Sequence, residues 1–375
     1  MPGKNIGADN DSDNILCVRC HVSPSEVTVR SDRLCSDCFT RYINMKTVKR
    51  LETFRVRNST AGKTRRLLLP VSLGLSSTVL LQMSDRQLRA QRERTGRTGY
   101  EVVLLHIGSL FEDVDRIEAF KGRFPDHNLV MIPVENIFEY DSAMNDFYQE
   151  TNISPEASDS LSNQEKLQKL LNQVPSATSK EDVLTNLRTR LIVEIAQQQS
   201  CEGILWGHST TRLAEKTLSE TAKGRGFSLT WQISDGISSH GIFFYFPLRD
   251  LLRKELAMYA SFIKPSLDNI IRYEPSLRDI SASSKSTSID ALMGQYFESV
   301  EESYPGIVAN VVRTTAKLHA LNIQAEKKCR LCDMPYHANS DEPEPVTIYS
   351  LTADADRKQA IEGLCYGCTR TMEVR

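Results

Sequence analysis

Eight of the nine cysteines in this 375-residue chain fall into four Cys-x-x-Cys pairs, two near each end. Cys17/Cys20 and Cys35/Cys38 open the sequence, and Cys329/Cys332 and Cys365/Cys368 close it. Two residues between cysteines let both sulfurs of a knuckle reach one ion, and a second knuckle completes a tetrahedron. The first set has 14 residues between its inner cysteines, a zinc-ribbon spacing, and the second has 32. The pattern therefore predicts one or two bound zinc ions. Redox or disulfide cysteines are the alternative. His21, beside Cys20, is a spare ligand that a four-thiolate set does not need.

Composition is that of a globular protein, with 40% hydrophobic and 25% charged residues and a formal net charge of −2. No apolar run approaches the ~18 residues of a membrane-spanning helix. The polar, acidic first residues lack an apolar signal core. Paired thiols without a secretion signal suit a reducing compartment, so a cytoplasmic location is expected and no membrane partner.

Residues 1–14 are expected to form a disordered tail and 15–45 the first cysteine module. From Arg41 to Arg66 nine basic residues face one acid, Glu52, a local net of +8. Within this strip Lys46, Lys49, Arg50, Arg55, Arg57, Lys63, Arg65 and Arg66 are the candidate polyanion-binding residues, with Tyr42 and Phe54 interleaved. A solvated helix face is the plainer reading. A second basic stretch runs from Arg86 to Arg97.

From residue 66 apolar strands alternate with helices: RLLLPVSL, EVVLLHI (101–107), NLVMIPV (128–134) and CEGILWG (201–207), with a helix from about Ser76 and a long amphipathic one over 181–199. That alternation predicts an α/β fold, a mostly parallel sheet with helices on both faces, flanked by the two cysteine modules. The polar stretch 151–180 reads as an exposed, partly disordered insertion. SASSKSTS (281–288) reads as a flexible joint before two helices, with Pro305 opening the second. The domains expected are thus 46–265 for the sheet and 266–375 for a helical segment plus the last cysteine module.

The strand-to-helix turn at 69–80 is placed to aim backbone N–H groups at a phosphate. Ser72, Gly74, Ser76 and Ser77 are small enough for close approach, although a serine-and-glycine turn alone is a weak signal.

Here the chain resembles a family. Ser72-Leu73-Gly74-Leu75-Ser76-Ser77 is similar to the Ser-Gly-Gly-x-Asp-Ser loop of PP-loop ATP pyrophosphatases. Gly207-His208-Ser209-Thr210-Thr211-Arg212 falls on the Gly-His-Asn-x-x-Asp motif of the tRNA-thiolating members, and PLRDLLRKELAMYASF (247–262) looks like the segment after their last strand. With the flanking cysteine modules, the resemblance is to the cytoplasmic tRNA 2-thiolation protein 2 family, over nearly the whole chain. It implies a degenerate PP-loop domain in a non-catalytic subunit of a heteromeric tRNA thiolase. The reaction implied is 2-thiolation of the wobble uridine, position 34, in cytosolic tRNAs for Lys, Glu and Gln. The partners implied are a catalytic PP-loop thiolase subunit, tRNA and, indirectly, a ubiquitin-like sulfur carrier.

The departures carry the functional argument. Leu73 replaces a glycine, Ser76 an aspartate, and Thr211 and Arg212 stand where acids would help hold magnesium. The PP-loop domain contains one cysteine, Cys201, at the start of a buried strand, where a thiol is usually inert. His208 shows no partner for acid–base work. No catalytic residue and no ATP turnover are therefore expected. Two other readings stay open: an active adenylating sulfurtransferase with an atypical site, and a zinc-dependent protein-interaction scaffold.

Overall fold

A computed structural model of the chain describes residues 15–29, 31–59, 64–108, 114–151, 161–273, 287–318, 327–336, 346–349 and 358–373. The expected tail at 1–14, Lys63, most of the expected joint at 281–288 and residues 152–160 of the expected insertion lie outside them.

The chain opens with an antiparallel hairpin, β1 (Val27–Val29) and β2 (Asp32–Leu34), followed by α1 (Ser36–Arg50). The main sheet begins at β3 (Arg66–Pro70), whose LLL run is wholly buried. Then come α2 (Leu75–Thr95), β4 (Glu101–Ile107), α3 (Val114–Arg123) and β5 (Leu129–Ile132). Four helices follow: α4 (Ile137–Tyr140), α5 (Ser142–Thr151), α6 (Asn163–Gln173) and α7 (Ala177–Gln198). The chain re-enters the sheet at β6 (Gly203–Leu205), passes through α8 (Thr210–Ala222) and α9 (Leu229–Ile233), and adds β7 (Gly236–Ile237) and β8 (Phe243–Tyr245). It continues with α10 (Arg253–Phe262), α11 (Ile289–Ser303) and α12 (Pro305–Thr315). Short antiparallel pairs, β9 (Lys327–Lys328) with β10 (Pro335–Tyr336) and β11 (Val346–Tyr349) with β12 (Lys358–Ile361), precede the last helix, α13 (Tyr366–Met372).

The sheet order is β5-β4-β3-β6-β8-β7, parallel except for β7. Successive strands step outward from β3 to one side, then restart on its other side at β6. The crevice between β3 and β6 at their carboxyl ends is the switch point where open α/β sheets take ligands.

Side-chain alternation on the strands divides the core in two. Leu67, Leu69, Leu104 and Leu205 face one apolar layer with α1, α2, α3 and α10, and Leu68, Leu105, Ile204 and Phe244 face another with α7, α8, α11 and α12. Cys17 and Cys35 belong to the first layer, and Cys329, Cys332, Cys365 and Cys368 to the second. The two cysteine modules therefore sit on opposite faces of one sheet.

Two boundaries differ from the sequence reading. The stretch 151–180 includes α6, started by a capping box between Ser162 and Glu165, and it buries Leu170 completely. The expected module boundary at residue 45 falls inside α1, which packs on α10 through the edge-to-face rings of Phe39 and Phe262.

Candidate nucleotide loop and thiol sites

The loop after β3 leads directly into α2 and spends its polar groups on itself. Ser77 Oγ accepts the Ser72 N–H at 3.3 Å and donates to the Gly74 carbonyl at 3.2 Å, while the Gly74 N–H is taken by Ser72 Oγ at 3.3 Å. Gly74 caps α2 without a side-chain acceptor, and Ser76 lies in that helix's first turn. Leu73 adopts φ +59, the left-handed region that favours glycine, yet its side chain is fully buried. A non-glycine residue there costs about 1 kcal/mol or more, which burial of the isobutyl group offsets. The Leu73 carbonyl accepts the Arg272 N–H at 2.7 Å.

The second motif lies against the first. A Cβ on Gly207 would stand 2.9 Å from Ser77 Cα, so only glycine permits this approach. His208 is stacked between Trp206, at 5.4 Å, and Phe246, at 5.7 Å between ring centroids. Burial, with Lys216 and Arg212 nearby, pushes its imidazole well below the usual value, and Nδ1 has no hydrogen-bond partner. The ring is held as a neutral slab.

Arg212, on which the motif's acid falls, and Thr211 before it are both committed elsewhere. Thr211 is buried, accepts the Arg253 N–H at 3.0 Å and donates to Glu301 of α11 at 2.6 Å. Arg212 pairs with Glu215 at 3.1 Å. Among the described residues, the groups of three or more His, Cys, Asp or Glu side chains close enough to share an ion are the two thiol sets, and neither includes the loop. His106, which the sequence reading passed over, sits beneath the loop and donates from Nδ1 to the Val71 carbonyl at 2.6 Å. Cys201 is buried, and burial pushes its thiol up to about 11, far from a working thiolate.

Each thiol set converges. Cys17, Cys20, Cys35 and Cys38 have sulfurs within 4.8 Å of one another, as do Cys329, Cys332, Cys365 and Cys368. The Cys20–Cys35 and Cys332–Cys365 pairs are both 3.8 Å apart. A tetrahedral ion with metal–sulfur bonds of about 2.3 Å separates its sulfurs by about 3.8 Å, so both sets fit a single ion. The sulfurs also titrate against each other. In the first set, burial raises the Cys17 thiol, but backbone donors at Cys35 and Cys20 outweigh it and bring it to about 6, while burial and its neighbours push Cys38 up to about 12. In the second, Cys329 is driven well below the ordinary thiol value and Cys332 and Cys368 well above it. Four adjacent thiols cannot all ionise until a cation shares them. His21 adopts a left-handed backbone beside this set and is outside the converging group.

The basic strip is largely paired once folded. Arg50 binds Asp250 at 2.7 Å and Asp235 at 3.5 Å, and Lys46 donates to the Asp250 carbonyl at 3.0 Å. Arg55 and Arg57 share Glu52, Arg65 grips Glu202 with two nitrogens, and Arg66 pairs with Glu101. Phe54 is buried under the Arg65 guanidinium. Lys49 alone of the described candidates has no carboxylate or carbonyl partner, and it shares an exposed face of α1 with Arg41 and Met45. The Arg86–Arg97 stretch instead borders a cavity of about 320 Å³ at the amino ends of β4 and β5, where Arg89 bridges Asp85 and Asp126.

Comparison with known proteins places this arrangement. A family model described as cytoplasmic tRNA 2-thiolation protein 2 matches residues 288–370, the segment holding α11, α12 and the second thiol set. A protein of that name from Phaeosphaeria nodorum is 44% identical over 100% of this chain and 98% of its own length. Another from Pyrenophora tritici-repentis is 43% identical over 99% and 97%. Among solved structures, the U34-tRNA thiolase NcsA from Methanococcus maripaludis with its [4Fe-4S] cluster shares the fold, with a TM-score of 0.54 at 14% identity over 85% of this chain and 92% of that one.

Proposed function

The chain belongs to the cytoplasmic tRNA 2-thiolation protein 2 family, and on that premise we propose that it is the non-catalytic subunit of a heteromeric cytoplasmic tRNA thiolase. It serves 2-thiolation of the wobble uridine in tRNAs for Lys, Glu and Gln by supporting tRNA and a catalytic PP-loop partner that receives sulfur from a ubiquitin-like carrier. The observation that carries this reading is the identity of residue 212. The motif's acid position holds a cation, Arg212, paired with Glu215, and Thr211 before it is buried in a hydrogen bond to Glu301. Adenylating uridine with ATP draws on carboxylate oxygens around magnesium, and the loop residues Ser72 to Ser77 include no carboxylate.

Zinc is the ion proposed for both thiol sets. Sulfur separations of 3.8 Å suit one tetrahedral ion, whereas a sulfide-bridged cluster between the cysteines would hold them farther apart. Zinc there fixes the knuckles and supplies no reaction chemistry. Each set of four thiolates would hold one ion, and the apolar layer around the second set would keep water from it.

The test is ATP-dependent adenylation by the isolated chain and by the reconstituted complex. Activity is expected only with the catalytic partner present. Robust adenylation by the isolated chain, abolished by Gly74→Asp, overturns the proposal.

A further inference from the structure

The second thiol set is joined to the helical layer by charge as well as by apolar packing. Arg225, 1% exposed, lies between the end of α8 and α9. Its Nε donates to Glu220 at 2.7 Å, its Nη1 to Asp182 of α7 at 2.8 Å, and the same Nη1 stands 3.9 Å from Cys368 Sγ. Asp182, also 1% exposed, accepts from Thr371 of α13 at 2.9 Å and from Lys223 at 3.0 Å. Lys223 reaches onward to Asp290, in the first turn of α11, at 3.0 Å. The path runs without a gap from a thiol of the metal set to the start of α11.

The local sequence is shaped to allow this. A Cβ on Gly367 would fall 2.5 Å from Arg225 Cγ and 2.8 Å from the Lys223 carbonyl. Between the two cysteines of this knuckle, only glycine lets the guanidinium stem pass beneath. The cluster sets three carboxylates, Asp182, Glu220 and Asp290, against the paired cations Lys223 and Arg225, with Lys216 acting on Glu220 and Asp290 without a direct bond. A buried ionic set tolerates little rearrangement, because each carboxylate depends on the donors it has. Ordering Cys368 around an ion fixes α13, and α13 brings Thr371 to Asp182 and closes the shell around Arg225.

We propose that Arg225 couples metal binding at Cys329, Cys332, Cys365 and Cys368 to the seating of α11, along the path Cys368–Arg225–Asp182–Lys223–Asp290. The inference rests on the zinc reading of this set. Arg225 is a positioning residue: it touches a ligand sulfur and acts on α11 through two intermediates. Linkage makes the effect reciprocal, so whatever metal does for α11, an intact α11 contact does for metal.

Asp290→Asn tests this without touching the thiol knuckles. In the full chain, zinc retained against a chromogenic chelator is followed in the slow phase, that of the wholly buried second set, beside amide exchange over residues 289–303. The expected result is about tenfold weaker zinc retention in Asp290→Asn, a difference of about 1.4 kcal/mol. Zinc removal should speed exchange in α11 when Asp290 is present and have little effect on it in Asp290→Asn. A residue of purely structural importance would instead raise exchange equally with and without metal. Unchanged zinc retention in Asp290→Asn, or α11 exchange indifferent to zinc in the parent chain, overturns the coupling while leaving the zinc reading intact. A chain holding no ion at this set overturns both.

Discussion

Thr211 Oγ1 lies 2.6 Å from Glu301 Oε2, joining the start of α8 to the end of α11. Glu301 is buried and is also held by the Lys254 N–H at 2.7 Å. Replacing Thr211 with Val removes one of its donors and should cost about 1–3 kcal/mol in chemical denaturation. Thr211→Asp, which adds an acid next to the motif's last position, should cost more, because it sets a second carboxylate against Glu301. Adding Glu301→Gln to Thr211→Asp should recover part of the loss. Equal stability of Thr211→Asp and the parent would show that the site still has room for a metal-holding acid.

The two thiol sets should differ in how they release metal. Cys20 and Cys38 are half-buried, whereas all four sulfurs of the second set are buried. Native mass measurement should find two zinc ions per chain, and chelator should remove one well before the other. Cys17→Ser with Cys20→Ser should abolish the fast phase and unfold the amino-terminal module.

Removing charge from the basic strip should separate binding from stability. Arg41→Glu with Lys49→Glu should weaken tRNA binding by the complex and reduce its salt slope by about 2, one for each phosphate no longer neutralised. Arg65→Ala, which frees Glu202 and uncovers Phe54, should lower the midpoint of unfolding with a smaller effect on tRNA. Equal binding losses for the two changes would return the whole strip to the tRNA surface.

Lys216 should give a pH signature. Burial is the main cause that lowers its ammonium from 10.5 to about 8, with Arg212 adding to the effect and Glu220 opposing it. Between those two values the unfolded chain binds a proton that the folded chain does not, so stability rises with pH across that window. Below about 8 both states are protonated and the penalty is fully present. Lys216→Met should therefore be more stable than the parent at pH 7, and the difference should shrink from pH 8 to 10.5. Denaturation midpoints of the two proteins across that range provide the measurement.

The elements legible in the sequence are those whose burial is continuous. The strand at 101–107 is readable from its apolar run, and the helix at 305–315 from its opening proline. The helix at 163–173 is hidden by its polar composition, although Ser162 and Glu165 carry a capping signal three residues apart. Cysteine spacing locates both thiol sets because their geometry is local. The pairing of the basic strip is illegible for the opposite reason. A window of 26 residues counts its nine cations and one acid, but its other counter-charges arrive from Glu101, Glu202, Asp235 and Asp250, far along the chain. Leu73 and Arg212 are visible as departures from a motif, while the use made of Leu73 and Thr211, a filled core and a bond to Glu301, depends on elements the local sequence does not contain.

The seating of the first thiol module on α10 also sets an order of events during synthesis. Its knuckles can close on an ion as soon as residue 38 has emerged, but Asn44 waits for Tyr259, 215 residues later, and Phe39 waits for Phe262. Until then the module, even once closed on an ion, has a bare apolar flank. A chain truncated before α10 should carry zinc at its front and still be recognised by quality control as unfinished.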